Sequence, residues 1–309
     1  MRMFRYVVIF FLFVAPAAAL SALGAGDLPD TSKWYFHADF KEMRSSEAGQ
    51  HLYTWLQDEA FDDIREDAGV DLDQEVDYLT AFATEDDGMV IIIEGNISQE
   101  TQDRILAMGA ASGSLDRFGS GNKAFFHVDG DEIDVDGEGA DIEIETDSFD
   151  DGAYFSFAVK NKILVTSTKE RMESLLADKG KVVGVRSEKG TLFVLSAERN
   201  LMQAGARTED LGDEGGWDSN ILRNTEQAAL LVAEKAGKIA IEAQLVTTEK
   251  EMADSLASIV RGLISLQVFN DDMDSDLSDF LQNTSVEVDE NKLTISLTLD
   301  PEVIVAAIE

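Results

Sequence analysis

Residues 78–108, YLTAFATEDDGMVIIIEGNISQETQDRILAM, decide the fold class. An alternating run with two aromatics and a Thr reads as a strand. Gly88 closes it with a turn, and the apolar run 89–93 reads as its hairpin partner. Ser98 then stands where a helix N-cap belongs, ahead of a stretch with helical spacing. The same order returns at residues 228–259, AALLVAEKAGKIAIEAQLVTTEKEMADSLASI, with Gly237 at the turn. Thr248 and Glu251 there have the spacing of a capping box. Met252, Leu256, Ile259, Val260 and Leu263 recur on one helical face.

Two further pairs of segments follow the same order. Residues 161–176 (NKILVTSTKERMESLL) and 291–308 (NKLTISLTLDPEVIVAAI) each open on Asn-Lys, run on as an alternating strand and finish in a short helix. Thr168 can cap the first helix, and Asp300-Pro301 starts the second with an N-cap followed by Pro. The opening strands, residues 34–40 and 192–197, form the third pair. Three matched segments with offsets of about 130–160 residues exceed solenoid repeat lengths and predict a duplicated unit. The expected fold class is therefore α+β. It consists of two pseudo-repeated strand-helix-hairpin-helix-strand-helix units with mainly antiparallel sheet. The first unit is expected over residues 27–180 and the second over 190–309. An extra helix is expected at 47–64, with Ala48, Leu52, Trp55, Leu56, Ala60 and Ile64 on one face.

Residues 1–19 read as an address. Arg2 and Arg5 precede the apolar run 6–15, Pro16 breaks it, and Ala17-Ala18-Ala19 supplies the small-residue pattern a signal peptidase recognises. Cleavage after Ala19 and a periplasmic or secreted mature protein are expected. The competing expectation is an uncleaved N-terminal membrane anchor, because residues 6–26 carry no charge.

Composition excludes several activities. The chain of 309 residues holds 61 acidic and 25 basic residues, a formal charge of −36, with 3 His and no Cys. Disulfides, Cys-ligated metals and thiol catalysis are ruled out. So much negative charge repels a phosphate backbone, so no nucleic-acid partner is expected. The acids are spread along the chain, as on a solvated surface adapted to salty surroundings. A hydrophobic fraction of 44% is that of a chain with a folded core. Neither a Gly-x-Ser-x-Gly elbow nor a Walker loop nor a dinucleotide fingerprint occurs, and Gly119-Ser120-Gly121 lacks the Lys that a phosphate loop needs.

The densest chemistry lies at residues 129–151, with twelve carboxylates and no Lys or Arg. Glu132, Asp134, Asp136, Asp141, Glu143 and Glu145 alternate with Ile133, Val135, Ile142 and Ile144. That period predicts a β-hairpin over 131–146 whose six acids share one face, a candidate weak Ca²⁺ or Mg²⁺ site. It departs from a helical calcium loop in its first ligand, in Gly139 and in the period of its flanks. Asp271, Asp272, Asp274, Asp276 and Asp279 read as a solvated loop. His37, His51 and His127 have no zinc spacing, though His37 and His127 follow Phe in similar strands (WYFHAD, AFFHVD) and could pair side by side.

The order of features resembles a group of bacterial exported proteins of unknown function. The resemblance rests on the strand-plus-Asp start at 34–39, the Gly-acidic turn Gly69-Val70-Asp71-Leu72-Asp73, and the strand running into a Thr/Ser-Lys/Glu helix start at 165–170. It implies a periplasmic or surface α+β protein and supplies no catalytic residues. The functional expectation is a non-enzymatic envelope protein that binds a protein, peptide or surface partner. The alternatives are a Ca²⁺-responsive module built on the acidic hairpin and, last, a hydrolase assembled from scattered Asp, Glu and His.

Overall fold

A computed structural model describes residues 32–57, 61, 65, 71–84, 88–111, 115–129, 152–181, 190–198, 224–268 and 284–308. The chain divides into two compact units. One gathers the described residues within Pro29–Arg44 and Leu52–Val185, the other those within Ser45–His51 and Arg186–Glu309. Both combine helices with antiparallel sheet, so the chain is α+β.

In the first unit, strand β1 (Ser32–Asp39) runs into helix α1 (Phe40–Ser45). Helix α2 (Glu47–Leu56), which belongs to this unit from Leu52 on, and a single turn, α3 (Leu72–Glu75), come before the hairpin of β2 (Val76–Thr84) and β3 (Gly88–Gly95). Helix α4 (Gln99–Ala111) precedes short strands β4 (Asp116–Phe118), β5 (Phe125–Val128) and β6 (Ala153–Ser156). Strand β7 (Lys162–Thr166) and helix α5 (Lys169–Ala177) complete it. The strands pair in the order β1-β2-β3-β7-β6-β5-β4. The three short strands are additions to the expected element order.

The second unit holds β8 (Thr191–Glu198), the long hairpin β9 (Thr225–Lys235) and β10 (Lys238–Thr247), and helix α6 (Lys250–Val268). Strands β11 (Ser285–Asp289) and β12 (Lys292–Leu299) and helix α7 (Pro301–Ile308) follow. Their order is β11-β12-β10-β9-β8. Among the described residues no helix is long and apolar enough to cross a membrane.

The local chemistry explains the boundaries. The β9–β10 turn places Ala236 at φ 55° and Gly237 at φ 78°, the left-handed pair a two-residue hairpin demands. Gly95 ends β3 where a Cβ would overlap the Glu75 carbonyl oxygen, so no larger residue fits. Ser98 Oγ accepts from Thr101 N at 3.1 Å and Thr168 Oγ1 from Arg171 N at 3.3 Å, the two caps the sequence predicts. Thr248 differs, since it lies just outside α6 and its N–H bonds to the Asn224 carbonyl at 2.9 Å. Helix α2 buries Ala48 and Leu52 as its pattern requires, and Phe61 closes an aromatic cluster with Phe40 and Tyr53 at 5.3 and 5.7 Å. Residues 58–60 and 62–64 of the expected longer helix lie outside the described residues.

Candidate functional site

The first unit's sheet presents two unlike faces, because successive side chains alternate across a strand. One face carries Tyr35, His37 and Asp39 on β1. Opposite them on β2 stand Phe82, Thr80 and Tyr78. Beyond lie Val90, Ile92 and Glu94 on β3, then Thr166, Leu164 and Lys162 on β7. This is the more polar face, yet it is the buried one. His37 is 7% exposed, Asp39 8% and Thr80 8%.

Its polar groups are mostly engaged with one another. His37 Nδ1 and Thr80 Oγ1 lie 2.8 Å apart, and the imidazole stacks on Tyr78 with centroids 6.2 Å apart. Tyr35 also hydrogen-bonds Thr80. Lys162 Nζ sits 2.6 Å from Glu94 Oε1 and donates to the Gly180 carbonyl at 3.0 Å. Asp39 Oδ1 accepts from Glu42 N at 2.7 Å and so caps α1. Among the described residues His37 Nε2 is buried with no partner.

Burial sets the protonation of this face. It lowers the His37 imidazole below its ordinary value, against the weaker pull of Glu94. It also raises the Asp39 carboxyl and the Tyr35 and Tyr78 hydroxyls. A hydroxyl–imidazole contact such as Thr80–His37 has the parts of an activated nucleophile. Buried this deeply, it acts on the fold and not on a substrate arriving from solvent.

The opposite face carries Trp34 and Phe36 on β1, Leu79, Ala81 and Ala83 on β2, Ile91 and Ile93 on β3, and Val165 on β7. Phe36, Ala81, Ile91 and Val165 stand directly opposite one another across the four strands. These eight are half-buried, while Ala38, Met89 and Ile163 on the same face are buried. Helix α4 buries Thr101 alone and leaves Met108 44% exposed. The apolar face is thus covered unevenly, and the row Phe36, Ala81, Ile91 and Val165 is its incompletely buried part.

The six acids Glu132, Asp134, Asp136, Asp141, Glu143 and Glu145 lie outside the described residues, as do residues 271–279 and the leader. Among the described residues no group of three or more His, Asp or Glu could hold a metal ion. The three histidines go to three places. His37 is on β1. His127 is on β5, five strand positions away, with its ring 4.4 Å from Tyr154 and Nδ1 3.6 Å from Asp129. His51 Nε2 lies 3.8 Å from Glu302. The expected His37–His127 pair does not form, because β2, β3, β7 and β6 stand between their strands.

Two features had no marker in the sequence. Arg44 donates to the carbonyls of Asp73 and Val76 at 3.0 and 2.9 Å, to Tyr53 Oη at 3.2 Å and to Asp77 Oδ1 at 2.7 Å. In the second unit Glu242, 2% exposed, accepts from Gln244 Nε2 at 2.5 Å.

No protein-family model matches the chain, and no curated protein does. Among solved structures the chain is similar to crystal form III of TP0453, at 8% identity and TM-score 0.47, over 94% of this chain and 99% of that one. Crystal form IV gives 9% and 0.46 over 90% and 92%. Likeness at this level carries no argument about function.

Proposed function

We propose that this is an exported, non-enzymatic envelope protein that docks a segment of another protein on the apolar face of its first sheet. The half-buried row Phe36, Ala81, Ile91 and Val165 is the observation that carries the reading. A chain of charge −36 selects a basic partner, so the occupant is an extended or helical segment presenting an apolar strip flanked by Lys and Arg. Export rests on the n-region, apolar run and Ala17-Ala18-Ala19 of the leader. The pattern resemblance to bacterial exported α+β proteins points to the same compartment.

The reading includes a duplicated architecture. Its support is the order in which strands pair: β1-β2-β3-β7-β6 in one unit and β8-β9-β10-β12-β11 in the other. A matching bond adds to it. Gly95 N donates to the Asn161 carbonyl at 3.0 Å, and Thr247 N to the Asn291 carbonyl at 2.9 Å, the two Asn of the Asn-Lys pair.

The test uses two ten-residue peptides, alternating Leu with Lys or Leu with Glu, titrated into the mature chain at 0.15 M salt. The Lys peptide binds, the Glu peptide does not, and Ile91→Asp weakens binding about tenfold or more. Equal affinity of wild type and Ile91→Asp would show charge attraction without a site and sink the proposal. A matched melting temperature shows that the variant is folded.

A second reading rests on the period-two acids at 131–146: a module that orders on Ca²⁺. Millimolar Ca²⁺ at fixed ionic strength then raises the melting temperature, and Asp134→Asn with Asp136→Asn removes the rise. No change in wild type would end this reading.

A further inference from the structure

We propose that the β1–β2 joint of the first unit is a proton-operated lock, with His37 as its sensor. The lock is the buried side-chain contact between His37 Nδ1 and Thr80 Oγ1, at 2.8 Å and directly opposite in register, set within the β1–β2 ladder. Whichever nitrogen carries the proton in the neutral ring, Nε2 is left buried and without a partner. A second proton would create a charged ring with one N–H aimed at nothing, and a buried charge without an acceptor is among the costliest states a side chain can adopt.

The charged and titratable groups around the ring do not relieve that cost. On β1 the flanking Tyr35 and Asp39 sit on the same face, and Asp39 is occupied in capping α1. Tyr78 on β2 stacks on the ring and offers it no acceptor in the plane. Glu94 on β3 is the attractive charge, but Lys162 of β7 sits 2.6 Å from its oxygen and cancels most of it. From α5, Arg171 lies over Phe82 at 5.7 Å and adds positive charge to the same face. Burial outweighs Glu94, in keeping with the lowered affinity of the ring for a proton.

The sign follows from linkage. An imidazole held below its unfolded value contributes stability that is present above pH 6.5 and lost as pH falls toward the folded value. Across that window the unfolded chain takes up the proton first. The folded-to-unfolded ratio falls by up to about tenfold for each pH unit crossed. Asp39 acts in the opposite sense. Its raised carboxyl contributes stability that is full below 3.8 and lost as pH rises through its folded value. β1 is the element set free, and with it the start of α1 that Asp39 caps.

The experiment has two arms. Imidazole signals in the full chain are followed by NMR from pH 8 to 4.5, which is practical with three histidines. Urea unfolding is followed over the same range for wild type and for His37→Asn, which keeps a group able to bond Thr80 but cannot titrate. The lock requires His37 to titrate below the ordinary imidazole range. It also requires the acid-side loss of stability to flatten in His37→Asn, and the amides of β1 to exchange faster at pH 5.5, after correction for intrinsic rates, while those of β3 do not. A His37 ring that titrates at or above 6.5, or an unchanged acid slope in His37→Asn, overturns it. If His37→Asn fails to fold, the wild-type titration and exchange data decide alone.

Discussion

Arg44 is the residue on which the first unit's helical segment is anchored. Its guanidinium reaches two backbone carbonyls, a phenol and a carboxylate, and its carbon stands 5.4 Å from the Tyr53 ring centroid. A planar five-donor fork serves such scattered acceptors, and an ammonium does not. Arg44→Ala is expected to cost about 2–4 kcal/mol in urea unfolding, and Arg44→Lys to recover less than half of it. Tyr53 belongs to the same network. Burial, and the bond it donates to Asp73 Oδ1, push its hydroxyl up to about 12. The folded state thus prefers the neutral phenol, and its contribution to stability is lost as pH rises from 10 toward 12. Tyr53→Phe should flatten the alkaline loss of stability in that window. An unchanged alkaline profile would mean that the phenol is not buried in this way. Neither role is legible in the sequence, because three of the four partners of Arg44 lie 29 to 33 residues away and two of those are main-chain oxygens. The same holds for His37 and Thr80, 43 residues apart: the alternation puts each on a strand face, but only the pairing register brings them opposite.

At the scale of elements, short-range chemistry was readable and short strands were not. Gly88 and Gly237 mark their hairpin turns because both need positive φ, and Ser98 and Thr168 mark helix starts because each satisfies an orphan N–H. Thr168→Ala should cost about 1 kcal/mol, measured as a shift in urea midpoint at constant slope. Ala236 breaks its own local rule, holding φ 55° where Asn or Gly is at ease. Ala236→Asn should therefore stabilise the chain by about 0.5–1 kcal/mol, and a loss of stability would show that the turn is not the two-residue type. The aromatic run AFFHVD marks β5, whereas β4 and β6, of three and four residues, are too short for a period to be counted. Pairing order escaped for a different reason. Strand β7 joins β3 across 66 residues of intervening chain, and nothing local announces such a partner.

For the whole molecule, the acidity and the half-covered face pull in one direction. A charge of −36 repels itself, and raising NaCl from about 0.1 to 1 M shortens the screening length from about 10 to about 3 Å. The melting temperature should rise across that range, and a flat or falling profile would show that the repulsion is already neutralised in the folded state. The same field gathers basic segments, and the half-buried row on the first sheet gives such a segment an apolar surface to cover. The alternation of apolar residues in residues 78–108 made this face visible as a strand face. It did not show which face would stay uncovered, since that depends on helices packed from elsewhere in the chain. The most direct test is therefore positional: backbone amide shifts of the labelled first unit, read in the full chain, as the alternating Leu/Lys peptide is added to saturation. The account predicts that the changes centre on Phe36, Ala81, Ile91 and Val165 and their neighbours on the same face. Changes confined to exposed acidic residues, with those four unmoved, would contradict it.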